Sequence, residues 1–252
     1  MFLNKNKAFT LAEVLIVLAI VGIIAAITIP SLINIYNRKM LEVRFKKTDA
    51  VLTQAMRMAS DELGIESFAV YNKVTKDELE TTKANLYNIW EKQFRGATKI
   101  YVKNDFNNPK SFLRRFTYRF LTGSNFTSWY FILNNNDKDF YVLLLPDGSM
   151  VSAPWLGSTF DPDTKSNIIF VFDTNGPWAG PNRLGYDVFY YFGYKDYFAN
   201  GCNPIGTDSY SDRGCYKQAH INQNPYDKSI NWWNSLYRSR SWWENLKNNS
   251  SK

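Results

Sequence analysis

From Phe9 to Ile29 the chain holds an apolar run of 21 residues in which Glu13 is the single charged side chain. As a helix rising 1.5 Å per residue, such a run reaches about 31 Å, enough to cross the hydrocarbon core of a bilayer. An ionised acid is expensive in hydrocarbon, so a carboxylate kept there answers a functional demand. A short leader carrying Lys5 and Lys7 precedes the run, and Pro30 ends it. A secretory signal would have an apolar stretch of about 7–15 residues followed by a small-residue cleavage site. Here the stretch is longer and continues into charged, helix-compatible sequence. A plain membrane anchor fits the length but leaves Glu13 unexplained.

The segment Phe9-Thr-Leu-Ala-Glu13 resembles the N-terminus of type IV pilins and pseudopilins, whose leader is cut on its cytoplasmic side by a prepilin peptidase. The resemblance covers about the first 35 residues. It implies cleavage between Ala8 and Phe9, N-methylation of the new amino terminus at Phe9, and an assembly role for Glu13. Pro30 corresponds to the family's helix-kinking proline. One position departs from the pattern: the family usually has Gly before the cut, where this chain has Ala8. In a filament the glutamate of one subunit is expected to face the terminal ammonium of its neighbour. Opposite charges attract strongly at low dielectric and each is penalised alone, so the pair would report register.

The resemblance implies an α+β, pilin-like fold: a long N-terminal transmembrane helix bent at a proline, then a head of mixed helix and antiparallel sheet. The expected organisation is a leader over 1–8, a long helix over 9–63 with 9–29 in the membrane, and an exported head over 64–252. The implied function is structural, as a pseudopilin of a type II secretion system or related type IV filament. The alternative is a type IV or competence pilin in a surface filament for adhesion, motility or DNA uptake. Implied partners are the prepilin peptidase, other pilin or pseudopilin subunits, an inner-membrane platform protein with its assembly ATPase, and membrane lipid. The expected location is the inner membrane, single-pass, with the N-terminus cytoplasmic because positive charge stays inside, and later a periplasmic or surface filament.

Composition fits an exported, tethered protein. The chain has 30 Lys+Arg against 23 Asp+Glu, net +7, and 8 Trp, 16 Tyr and 18 Phe, enough to build a sizeable core. The mild basicity is compatible with nucleic acid or anionic lipid, but a solvated surface explains it more simply. Two cysteines, Cys202 and Cys215, can close a loop in an oxidising compartment or remain as thiols. A cysteine-bounded loop near the C-terminus also resembles the disulfide-bounded region of many pilins. Catalysis finds little footing. His220 is the one histidine, and Gly-x-Ser-x-Gly, phosphate-loop and Cys-x-x-Cys patterns are absent from the sequence. The spacing of Cys215 and His220 invites a dyad, but a disulfide would consume the thiol. We expect no enzyme; an anchored enzyme or binding protein is the contrasting class.

Beyond Pro30, the residues Ile33, Tyr36, Met40, Val43, Val51, Ala55 and Met58 recur near helical spacing, interrupted by Lys47. They predict one helix from about Phe9 to Leu63, stopped by Gly64. A second helix is expected from Lys76 to about Arg95, with Thr75 and Glu78 spaced as a capping box and Leu79, Leu86, Ile89, Trp90 and Phe94 as its apolar stripe. Tyr141–Leu145, the turn Pro146-Asp-Gly-Ser149 and Met150-Val151 read as a hairpin. Asn167–Phe172 and Val188–Phe192 read as strands, while 96–121 reads as loops and a basic-aromatic stretch.

Asp173-Thr-Asn175-Gly176-Pro177, followed closely by Asp187, brings hard oxygen ligands onto a tight turn, as a calcium loop requires. Asp173, Asn175 and Asp187 are therefore candidate ligands for calcium, although the full EF-hand spacing is missing and an inter-strand turn has the same composition. In the tail, Trp232, Trp233, Leu236, Trp242, Trp243 and Leu246 suit an amphipathic helix or two packed turns. They cover a face of the head or form a partner surface. Acids scattered through the tail weigh against DNA.

Overall fold

The computed structural model describes residues 10–65, 70–71, 79–102, 118–119, 125–126, 140–156, 166–192, 202 and 215–250. The chain divides into two compact units, residues 1–40 and 41–252, and the division falls inside its first helix.

Helix α1 runs without interruption from Leu11 to Leu63 and has Pro30 in its interior. Its apolar part is long and apolar enough to cross a membrane, and none of that window is buried against protein. The C-terminal end is closed by a Schellman arrangement. Ile65 N–H donates to the Ser60 carbonyl (3.1 Å) and Gly64 N–H to the Asp61 carbonyl (3.3 Å), with Gly64 at φ +66°. Glycine takes that left-handed conformation without a Cβ penalty, which is why the helix stops there.

The rest of the second unit is a helix-and-sheet head. Its elements are β1 (Val70–Tyr71), α2 (Leu79–Lys92), β2 (Thr98–Tyr101), β3 (Tyr118–Arg119), β4 (Asn125–Phe126), β5 (Tyr141–Leu144), β6 (Met150–Ser152), β7 (Trp155–Leu156), β8 (Ser166–Asp173) and β9 (Val188–Phe192). Then follow α3 (Cys215–Ile221), α4 (Trp232–Ser235) and α5 (Arg240–Ser250). The main sheet follows the path β1-β8-β6-β5-β2, with β7 and β9 also pairing with β8, and every pairing is antiparallel. The last two residues of β8 are flanked on both sides, Phe172 by Val151 and Phe189, and Asp173 by Met150 and Val188. The expected hairpin is present, with Leu144 opposite Met150 and Gly148 at φ +87° in the turn. β2 was not expected as a strand; it pairs with β5 along its whole length.

Within the second unit, α1 buries Leu41, Phe45, Thr48, Leu52, Ala55 and Ala59, a spacing of three and four that lines one face. This face differs in phase from the expected stripe. Ala55 is buried, but Val43, Val51 and Met58 are exposed. Phe45 supplies the reason. Its ring lies 4.7 Å from Phe189, 5.3 Å from Trp233, 5.8 Å from Tyr216 and 6.2 Å from Phe172, so the largest side chain available decides which face turns inward. Burying a ring of this size stabilises by roughly 1.5–3 kcal/mol from area alone. Lys47, which breaks the expected stripe, lies beside this face and pairs with Asp147 in the β5–β6 turn (2.8 Å).

Helix α2 presents Leu86, Ile89 and Trp90 to the core as expected, and Trp90 Nε1 donates to the Ser152 carbonyl (3.2 Å); the helix ends at Lys92, short of the expected Arg95, and Phe94 is buried from the turn that follows. The expectations on Thr75, Lys76, Glu78, 112–117 and 120–121 lie outside the described residues, as does the side chain of Leu79. The tail forms two helices. Trp232, Trp233, Leu236 and Trp243 are buried, so these tryptophans are core material and not a surface. Asn231 caps α4 by accepting from Trp233 N–H (2.9 Å), and Trp232 Nε1 donates to the Gly185 carbonyl (3.2 Å).

Candidate functional site

The first site lies at the start of α1. Thr10 precedes the first helical residue, and its N–H and hydroxyl both donate to Glu13 Oε2, each at 2.8 Å. Glu13 N–H approaches Thr10 Oγ1 at 3.3 Å in return. This is a capping box, in which an N-cap hydroxyl and the carboxylate three residues on satisfy each other's backbone donors. The carboxylate is thus held at the helix N-terminus, where the backbone N–H groups also favour negative charge. The Thr-x-x-Glu spacing was visible in the sequence, and Thr10 was not singled out there. Ala8 and Phe9 lie outside the described residues.

Further along, Pro30 has no N–H to offer the Ala26 carbonyl, so the hydrogen-bond ladder of α1 has a gap at that turn. Thr28 adds a side-chain bond just before it, its hydroxyl donating to the Ile24 carbonyl at 2.9 Å. Gly22, about two turns before Pro30, has no side-chain or neighbouring atom within reach of a Cβ position.

The second site belongs to the head, between the end of β8 and the start of β9. Asp173 and Asp187 are both fully buried. Asp187 Oδ2 accepts from Asn182 N–H (2.8 Å) and Oδ1 from Arg183 N–H (2.7 Å). Asp173 Oδ1 accepts from Asn175 N–H (3.2 Å), and Oδ2 from the Tyr118 hydroxyl of β3 (3.3 Å). Asn175 Nδ2 donates to the Gly180 carbonyl and Asn182 Nδ2 to the Pro177 carbonyl, both at 2.7 Å. The loop is therefore wound round its own polar side chains. A Cβ on Gly176 would collide with the Gly148 carbonyl, and Gly176 sits at φ +72°, so this close approach to the β5–β6 turn requires glycine.

The structure brings the three expected calcium candidates, Asp173, Asn175 and Asp187, into one loop. Burial, and then the Asp187 charge, push the Asp173 carboxyl well above the usual carboxylate range. Burial pushes Asp187 up to about 6 against the pull of its backbone hydrogen bonds. Among the described residues, Asn175 Oδ1 and Asn182 Oδ1 are buried without a hydrogen-bond partner. These two amide oxygens and the paired carboxylates are the hard donors that could hold a cation. No group of three or more His, Cys, Asp or Glu suited to a metal occurs among the described residues. Asn182 lies in the loop but was not among the expected ligands, and Tyr118 was not expected at all; it reaches in from β3, 55 positions from Asp173, and nothing local connects them.

Cys202 and Cys215 are joined in a disulfide, both buried. Cys215 opens α3, and the next residues tie that helix to α1. Tyr216 donates its hydroxyl to Asp49 Oδ1 (2.5 Å), and His220 Nδ1 lies 3.0 Å from Asp49 Oδ2. The one histidine is therefore an Asp49 partner, and the Cys215 sulfur is consumed in the bridge.

Comparison with known proteins places the first site in context. Residues 3–29 match the family model described as the prokaryotic N-terminal methylation motif. No curated protein and no solved structure matches the chain. The matched residues include Lys5, Lys7, the Thr10–Glu13 capping box and the apolar run.

Proposed function

From a chain that carries the methylation signal of type IV pilins and pseudopilins, we propose a structural subunit of a type II secretion system or a related type IV filament. The observation that carries this reading is the motif over residues 3–29 running directly into an uninterrupted helix from Leu11 to Leu63, none of whose apolar window is buried against protein. A prepilin peptidase would cut between Ala8 and Phe9, and Phe9 would then bear the methylated amino terminus. The subunit would wait in the inner membrane with its head outside. A platform protein and its ATPase would lift it into the filament, and the ladder gap at Pro30 would allow α1 to bend or loosen on the way.

Glu13 gains a definite role in this reading. In the single chain its carboxylate is satisfied by Thr10 of its own helix. Joining a filament would exchange these neutral donors for the ammonium of a neighbouring subunit, a charge-assisted contact that forms only in register. Glu13→Gln is expected to insert into membranes normally and to lower filament yield severely. Normal fibres from that variant would sink the role. A surface pilin is the alternative, since the motif is common to both systems. Deletion of the gene, followed by parallel assays of secreted protein, surface fibres and DNA uptake, distinguishes them.

A second proposal concerns the head. Calcium taken between Asp173 and Asp187, with Asn175 as a further ligand, would replace the protons that these buried acids otherwise favour. A rise in Tm with calcium, reversed by chelator, is expected; an unchanged Tm would remove the site.

A further inference from the structure

We propose that the exported end of the membrane span is an anchor for anionic phospholipid headgroups, built from Leu32, Ile33, Ile35, Tyr36, Arg38 and Lys39. The inference rests on the reading of α1 as membrane-spanning and goes beyond it by assigning a lipid class and a leaflet.

The apolar surface does not end with the run at Ile29. Leu32, Ile33, Ile35 and Tyr36 are all exposed, Tyr36 at 64 %. Since α1 is continuous, the distance from Leu11 to Tyr36 is about 38 Å, roughly 8 Å more than a typical hydrocarbon core. The surplus turns belong at the membrane–water boundary, where polar Ser31, Asn34 and Asn37 can meet water between the apolar residues. Tyr36 is the kind of residue that settles there, with an apolar ring and a polar hydroxyl.

Positive charge begins immediately afterwards. Between Phe9 and Asn37 the sequence has no Lys or Arg; Arg38 and Lys39 are the first. Arg38 Nε donates to the Asn34 carbonyl one turn back (3.3 Å), which draws the guanidinium towards the span and the level of lipid phosphates. Arginine forks match phosphate oxygens in pairs, and lysine adds a mobile charge on a long stem. Processing sharpens the asymmetry. Cleavage before Phe9 would remove Lys5 and Lys7, so the first basic side chain of the mature subunit would be Arg38. The side-chain charges that grip phosphate would then all be on the exported side, leaving the cytoplasmic end free to move outward.

The test uses the full-length protein in phosphatidylcholine vesicles containing a minor fraction of phosphatidylglycerol, cut into polymer-bounded lipid discs. The readout is the phosphatidylglycerol content of the protein's own discs relative to the bulk vesicles. About twofold enrichment is expected for the parent chain. It should fall to the bulk ratio in the Arg38→Gln, Lys39→Gln double variant, return when the two are exchanged as Arg38→Lys and Lys39→Arg, and persist in a Lys228→Gln, Lys247→Gln control. Carbonate washing of the vesicles is the second arm. A parent chain washed off fails the membrane-spanning reading, and this inference with it. A retained chain with bulk lipid composition, or with enrichment undiminished in the double variant, overturns the anchor alone.

Discussion

Along the single helix α1, the residues up to Met40 and those from Leu41 onward use apolar side chains in two different ways. In the first stretch none of the described residues is buried, and apolar side chains stand exposed all round the helix. In the second, Leu41, Phe45, Leu52, Ala55 and Ala59 are buried while Val43, Val51 and Met58 are not. A membrane makes no distinction between faces, so the first stretch is specified by composition. A folded head does distinguish them, so the second is specified by phase and by which residue is largest. The same backbone geometry thus carries a stretch apolar enough to cross a membrane and a stretch whose one face joins a protein core.

The strongest way to break that contrast is Phe45→Ala. Losing a ring that touches four other aromatics should destabilise the head by about 3–5 kcal/mol, read from denaturant melts of the purified chain, and leave membrane insertion untouched. A loss of insertion would show that the two stretches are not independently specified. Next comes the disulfide. Replacing Cys202 and Cys215 together by Ser should cost about 3 kcal/mol, the value for a loop of this length, again with insertion unchanged.

A smaller effect sharpens the picture of the head's own polar interior. Asp173 and Asp187 carry raised pKa values because burial penalises their charged forms. A raised carboxyl favours folding while protonated, so its contribution is full below the unfolded value near 3.8 and declines as pH rises through the folded value. The head should therefore lose stability from about pH 4 to 6 as Asp187 ionises, and further above that as Asp173 does. Asp173→Asn keeps the acceptor for Asn175 N–H and removes the titrating carboxyl, so it should stabilise the head at pH 7 and flatten the slope. Melts across this range check it; an unchanged slope would contradict the assignment. The smallest effect is Val51→Ser on the exposed face of α1, within about 0.5 kcal/mol.

What the sequence made legible follows from the same contrast. The apolar run, the Gly64 stop, the Tyr141–Met150 hairpin, β8 and β9 are all written in contiguous residues. The buried phase of α1 was not legible, because Val43, Val51 and Met58 satisfy helical spacing as well as Leu41, Phe45 and Leu52 do. Choosing between them requires Phe172, Phe189, Tyr216 and Trp233, which are far away in the chain. β2 escaped for a related reason: Thr98-Lys-Ile-Tyr101 is short and mixed, and becomes a strand through its pairing with β5. The candidate loop was half legible. Its carboxylates and amides stand close together in sequence, while Tyr118 reaches Asp173 from another sheet. The capping role of Thr10 was present in the spacing but overshadowed by the resemblance around it.

The most direct test of the account is the identity of the mature N-terminus. Chain recovered from membranes that contain a prepilin peptidase should yield, on digestion and mass measurement, an N-terminal peptide starting at N-methylated Phe9. A chain starting at Met1, or one cut on the far side of the apolar run, would contradict the proposed function.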